Sequence, residues 1–281
     1  PPYTKTIHRT EYPAISPTNP ANSASNKVVL VTGGSAGIGK EIARSFVQAG
    51  AKAVAILGRR ENLLAEVKKE LESLGTSRVI SFKADVLEEE ALEHAFASTA
   101  REVGKIDVVV ANAGYLAAPV KLADADLSDW WKAFEVNIKG TLLTFRAWFP
   151  HAASNREGAP PTFISVNSGV AHMTPFPGWS NYAVSKLGSA QLIAALQVEH
   201  PELRIASFHP GVLGTEMNSK SGATFSLDDL SLPGGFAVWL ASPRADFVGG
   251  RFFWAHWDVD EMARMQDDIV KNEELTMGLK G

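Results

Sequence analysis

Cysteine is missing from this chain of 281 residues. Its absence excludes disulfides, thiol nucleophiles and thiolate metal ligands, and it removes the usual marker of redox compartment. Nor is there an apolar stretch of about 18 residues, or a basic segment leading into a hydrophobic run near the start. A soluble, cytoplasmic protein with no membrane partner is therefore expected. The start at Pro1 instead of Met points to a trimmed N-terminus. The seven histidines never recur as His-x-x-His or His-x-x-x-His, so no metal site is expected. A large excess of one charge is lacking too: the formal net charge is -4 and the pI about 6.0. That balance argues against a nucleic-acid or anionic-membrane surface.

What remains is ordinary globular usage, 45% hydrophobic and 21% charged, enough for a full core in one domain. Residues 1–26 hold five prolines among Ser, Thr and Asn, a composition that favours an extended N-terminal arm over a packed element. From Lys27 the texture changes, and residues 27–281 read as a single domain. Short β-branched runs begin at Val28, Ala53, Arg78 and Ile106, with helical segments between them, and further strands are expected at 162–166, 204–208 and 251–255. Helices are expected at 38–49, 61–74, 88–103, 127–149, 180–200 and 234–241. The runs are continuously apolar, as in strands covered on both faces. Strands and helices alternating at this interval mean parallel pairing through right-handed crossovers. The fold class is α/β: one doubly wound Rossmann-type domain with a mostly parallel sheet of seven strands flanked by helices.

Chemistry concentrates at strand ends. After the first strand, Gly33, Gly37 and Gly39, with Ser35, Ala36 and Ile38 between them, open a helix. Glycines there let backbone amides approach a pyrophosphate, and the helix N-terminus favours the anion. The same stretch also reads Gly-x-Ser-x-Gly, a hydrolase elbow at Ser35. That reading needs several strands upstream, and only the proline-rich arm precedes it. After the second strand stand Arg59 and Arg60, where a carboxylate would usually receive the ribose 2′-hydroxyl of NAD. Arg59 with Ser35 suits the 2′-phosphate of NADP(H) instead, the alternative being two solvated arginines at a helix start. Among the four tyrosines only Tyr182 has a lysine four residues on, Lys186. One helical turn places both on the same face. An ammonium about 4 Å from a phenol is worth roughly 4 kcal/mol at an effective dielectric of 20, before desolvation opposes it. Tyr182 is thereby expected to become an acid or base at neutral pH.

These motifs resemble the classical short-chain dehydrogenase/reductase family, fungal members in particular, from about Lys27 to Asp258. Thr32 to Gly39 matches its glycine motif. By the same resemblance Asp85 and Val86 flank the adenine, and Asn112, Ala113 and Gly114 form the turn after the fourth strand, with Ala111 replacing an Asn. Asn137, Ser168, Tyr182 and Lys186 correspond to its catalytic tetrad. The family's serine-to-tyrosine spacing falls nearer Ser168 than Ser165. Pro210, Gly211, Val212 and Thr215 resemble its nicotinamide-side motif. The implied mechanism has Ser168 bind the substrate oxygen and Tyr182 exchange its proton. Lys186 lowers the tyrosine pKa and holds the ribose, and Asn137 fixes a relay water.

The resemblance also places a substrate pocket at Tyr115, Leu116, Val170, Met173, Phe176, Trp179, Val212, Leu213, Met217 and Phe225, and the Ser, Gly and Asp of 215–229 give that segment the composition of a mobile lid. Apolar walls of this kind imply a bulky ketone or secondary alcohol. The expected protein is thus an NADP(H)-dependent oxidoreductase forming a homodimer or homotetramer. An isomerase, cyclase or dehydratase on the same fold, and a dinucleotide-sensing protein without catalysis, remain the alternatives. The cluster Phe252, Phe253, Trp254 and Trp257 reads as core or subunit contact.

Overall fold

A computed structural model describes residues 3–154, 159–174, 176–220, 222 and 227–278, without the side chain of Lys220. Seven strands form one sheet: β1 (Val28–Thr32), β2 (Ala53–Gly58), β3 (Arg78–Lys83), β4 (Val108–Ala111), β5 (Thr162–Val166), β6 (Arg204–His209) and β7 (Phe252–Trp254). Every pairing is parallel, in the order β3-β2-β1-β4-β5-β6-β7. The helices are α1 (Gly37–Gln48), α2 (Glu61–Glu72), α3 (Glu89–Val103), α4 (Leu127–Phe134), α5 (Gly140–Trp148), α6 (Ser180–Glu199), α7 (Glu216–Lys220), α8 (Ser231–Leu240), α9 (Val259–Arg264) and α10 (Gln266–Lys271). Among the described residues no helix is long and apolar enough to cross a membrane.

Both faces of the sheet are buried, which explains the continuous apolar runs. Val29 and Val31 of β1 point into one core with Ile42 and Phe46 of α1, Leu64 and Leu71 of α2, and Phe236 of α8. Val28 and Leu30 point into the other, with Phe96 of α3, Trp148 of α5 and Ile193 of α6. The chain winds outward from β1 to β3, returns to β4 beside β1, and winds outward again to β7. A crevice therefore opens beyond the carboxyl ends of β1 and β4, where the winding direction reverses.

Two local features depart from simple reading. The span 127–149, expected as one α-helix, is interrupted by a π-helical turn at Glu135–Lys139. The wider turn rotates Asn137 inward. The N-terminal segment has no helix beyond the 3-10 turn Pro20–Asn22, but it is packed against the domain and not free. Ile15 is fully buried, and a Cβ on Gly235 would stand 2.6 Å from its carbonyl oxygen. Ile7 bridges Trp257 and Ser25 bridges Ala51. Tyr12 donates to the Trp257 carbonyl and accepts from the Val259 amide at 2.9 Å. The segment's own apolar side chains, Tyr3, Tyr12 and Ile15, drive this packing.

Truncating a fully buried isoleucine costs about 2–5 kcal/mol. Ile15→Ala is therefore expected to lower the urea midpoint of the whole domain with an unchanged m-value. An arm that unfolds separately would instead leave the main transition where it was.

Candidate active-site cleft

The crevice is a cleft of about 770 Å³. Its floor depends on a tie between β1 and β4. Thr32, the last residue of β1, accepts at Oγ1 from the amides of Asn112 (3.0 Å) and Ala113 (3.1 Å), and Asn112 Nδ2 donates to the Thr32 carbonyl at 2.9 Å. This tie passes through Asn112 itself, so Ala111, buried beneath it, leaves the junction intact. Gly33 has φ +67° and Gly37 φ +54°, left-handed conformations that favour glycine. A Cβ on Gly39 would lie 2.4 Å from both Asn112 Nδ2 and the Gly33 carbonyl. The chain can therefore turn tightly from β1 into α1. Ala36, the N-cap of α1, offers no side-chain cap. The first amides of that helix are thus open to an anion in the cleft.

One end of the cleft is polar. Arg59 is largely exposed, with Nη1 3.7 Å from Asp85 Oδ2. Arg60 forks onto both carboxylate oxygens of Glu216, at 3.0 and 2.9 Å. Ser35 lies nearby, under Gly58. Val86 lines the same wall and packs where a Cβ on Gly140 would stand 2.8 Å away.

At the other end, α6 places Tyr182 and Lys186 on one wall. Lys186 Nζ donates to the Val166 carbonyl at 2.9 Å and stands 5.7 Å from the centre of the Tyr182 ring. Ser168 follows β5 and caps the turn Gly169–Ala171. Burial pushes the Tyr182 phenol up to about 12, opposed by a hydrogen bond with Ser168. Burial also brings Lys186 down to about 8. This corrects the expectation that Lys186 lowers the tyrosine pKa. The ammonium faces a backbone carbonyl, and desolvation prevails over attraction at that distance. Above the phenol sit Met217, with Sδ 3.9 Å from Oη, and Trp179, edge-on at 6.1 Å.

Asn137 does not reach Lys186 with its side chain. It clasps the backbone of Tyr115, accepting from its amide at 2.8 Å and donating to its carbonyl at 2.9 Å, and it also donates to Ser185 Oγ. Its own carbonyl accepts from Thr141. The turn after Gly114 is thereby fixed. Tyr115 lines the cleft, and its hydroxyl donates to Asp129.

Gly33, Ser35, Ala36, Gly37, Ile38, Arg59, Arg60, Asp85, Val86, Asn112, Ala113, Gly114, Pro210 and Thr215 all line the cleft. Gly39, Gly211 and Val212 sit behind that lining. Of the residues named for substrate, Tyr115 and Met217 face the cleft. Leu116 and Leu213 are buried in the interior, while Met173 and Phe176 are exposed. Val170 is half-buried in the turn after Ser168. Phe225 and part of the 215–229 segment lie outside the described residues. The lining also includes Lys40, Glu41, Arg44, Asn167 and Glu216, which the sequence reading did not single out. Lys40, Glu41 and Arg44 follow Gly37 at helical spacing, so that signal was available. Glu216 meets Arg60 across 156 positions of sequence and had none.

The short chain dehydrogenase family model matches residues 27–225. A short chain dehydrogenase/reductase of Claviceps purpurea is 34% identical, over 98% of this chain and 94% of its own length. Among solved structures, a dehydrogenase/reductase of Sinorhizobium meliloti superposes with a TM-score of 0.74 at 28% identity, covering 84% of this chain and 95% of its own. A short chain dehydrogenase of Burkholderia cenocepacia, solved in complex with NADP, gives 0.75 at 26%, over 84% and 99%. The parallel sheet, the glycine turn beneath the switch-point cleft and these likenesses agree, and the chain belongs to the short chain dehydrogenase family of oxidoreductases.

Proposed function

We propose that this protein is an NADP(H)-dependent reductase of a bulky, largely apolar ketone, working in reverse as a secondary alcohol dehydrogenase. The observation that carries the reading is that Tyr182, with Ser168 beside its phenol, and Lys186 share one wall of a cleft whose other end presents Arg59 and Arg60. The cleft suits a dinucleotide: the glycine turn has no room for a side chain, and the uncapped α1 N-terminus faces the same space. Ser35 and Arg59 would receive a 2′-phosphate, and Lys186 the nicotinamide ribose. The NADP held by the Burkholderia protein supports the preference. When bound, the nicotinamide supplies or accepts hydride.

The protein's own residues handle orientation and the proton. Ser168, which acts on the phenol, would hold the substrate oxygen beside it. Tyr182 is neutral at physiological pH, as an ordinary phenol is, and burial pushes its pKa further up, so it holds the proton that a ketone oxygen takes as hydride arrives. Asn137 acts at one remove by fixing the Tyr115 turn. Met217 and Trp179 give the space above the phenol apolar walls. Such walls reward apolar area and leave a carboxylate desolvated.

Tyr182→Phe is expected to keep the fold and cofactor affinity while hydride transfer, followed at 340 nm, falls about 10²- to 10⁴-fold. Parent-like turnover would reject the acid assignment, and product formation without any change at 340 nm would favour an isomerase or dehydratase.

NADPH is expected to bind more tightly than NADH. A charge-assisted hydrogen bond is worth about 1.5–3 kcal/mol, so Arg59→Asp should weaken NADPH roughly 10- to 100-fold and narrow or reverse the preference. Equal titrated affinities of the parent for both cofactors would contradict this.

The direction of pH dependence follows from the raised phenol. Its acid form is full below the pKa and is lost as pH rises through it. Its base form, needed for alcohol oxidation, gains about tenfold per unit below the pKa. Oxidation is therefore expected to climb from pH 7 to about 10 while ketone reduction does not. An oxidation rate that is flat over that range would show that Tyr182 is not the base.

A further inference from the structure

Behind the nicotinamide-side segment lies a charged cluster that the reaction above does not use. The side chain of Asp228 is fully buried, at 0% exposure. One carboxylate oxygen accepts from Arg9 of the N-terminal arm at 3.0 Å. The other accepts from the Val212 amide at 2.7 Å and meets His256 Nε2 at 2.9 Å. The backbone repeats the grip, since the amides of Leu227 and Asp228 both donate to the Val212 carbonyl, and the Asp229 amide donates to the Arg9 carbonyl at 2.8 Å. Gly211 is shaped by the same carboxylate. Its φ is +111°, and a Cβ there would stand 2.8 Å from Asp228 Oδ2. Gly211 and Val212 in turn lie between Pro210 and Thr215, both in the cleft wall.

A buried carboxylate without partners is costly, and here its partners come from three distant parts of the chain. Arg9, Asp228 and His256 all fall outside residues 27–225, the span shared with the family model, whereas the Claviceps relative aligns with 98% of the chain. The cluster is thus an addition to the shared core that grips a segment inside it.

We propose that Asp228 is a positioning residue for the nicotinamide end of the cleft, and that the N-terminal arm, through Arg9, is a working part of the cofactor site. The proposal rests on the dinucleotide reading above. By fixing Val212 from both its amide and its carbonyl, Asp228 sets the path of the segment from Pro210 to Thr215. The adenosine end, built from α1 and the end of β2, has no contact with Asp228 and meets the segment only at its far end, through Thr215 beside Gly37 and Glu216 on Arg60.

The two ends can be measured separately. Intrinsic tryptophan fluorescence of the full-length protein is titrated with NADPH and, in parallel, with 2′,5′-ADP, which occupies only the adenosine end. Asp228→Asn and Arg9→Gln are compared with the parent, and hydrogen exchange is followed at Val212. Removing supporting groups behind metal ligands costs about 10- to 100-fold in affinity, and a comparable loss is expected here. Both variants should bind NADPH about tenfold more weakly, keep 2′,5′-ADP affinity within about twofold, and exchange faster at Val212. Unchanged NADPH affinity, or equal loss of both ligands, overturns the positioning role. If the parent binds neither ligand, the dinucleotide reading itself fails and takes this proposal with it. Should Asp228→Asn not fold, Arg9→Gln decides alone, because its side chain is 58% exposed and carries little of the core.

Discussion

The hydrogen bonds between Thr32 and Asn112 hold the cleft open at the point where the sheet reverses its winding. One threonine hydroxyl takes two amides from the end of β4, and one asparagine amide returns to the carbonyl ending β1. Gly39 must be glycine because that same asparagine nitrogen fills the space of its side chain. Helix α1 can then start directly beneath the turn with its amides unfilled. The wall that bears Tyr182 and Lys186 is tied to the same frame through β5, which pairs with β4 and delivers the Val166 carbonyl to Lys186.

Burial decides the electrostatics of that wall. A tyrosine and a lysine one helical turn apart suggest an ammonium lowering a phenol, yet here each group shifts toward its neutral form: the phenol up to about 12 and the ammonium down to about 8. Desolvation acts on both groups together, whereas their mutual attraction depends on an approach the lysine does not make, since it donates to a backbone carbonyl. A neutral phenol beside a serine hydroxyl carries a proton it can donate, which is the basis of the reductase proposal.

The chain outside the shared core is not peripheral. The arm packs on α8 through Ile15 and along residues 256–259 that follow β7, and Arg9 reaches the carboxylate beneath Gly211. Helix α7 spans the cleft in the other direction, carrying Glu216 to Arg60 and, one residue later, Met217 to Tyr182. The two ends of the cleft are thus covered from a single short helix.

The sequence alone determined the class of fold and most of the cleft. Apolar runs of strand length separated by helical periods allow little but a parallel, doubly covered sheet, and the strands at 28–32 and 162–166 coincide with the observed β1 and β5. Glycines at turn positions and a tyrosine with a lysine one turn later are local patterns, legible because the physics behind them is local. Tertiary structure decided what depends on distance in space. It showed that Leu116 and Leu213 are buried, that Asn137 clasps Tyr115 from a π-helical turn, and that Glu216 reaches Arg60. It also showed that a proline-rich arm is packed, because burial is set by the surface available beneath a segment as well as by the segment's composition. The sign of the Tyr182 shift belongs to the same group. Spacing places a charge near a phenol, but only the folded surroundings fix the distance and the solvent on which the balance of attraction and desolvation depends.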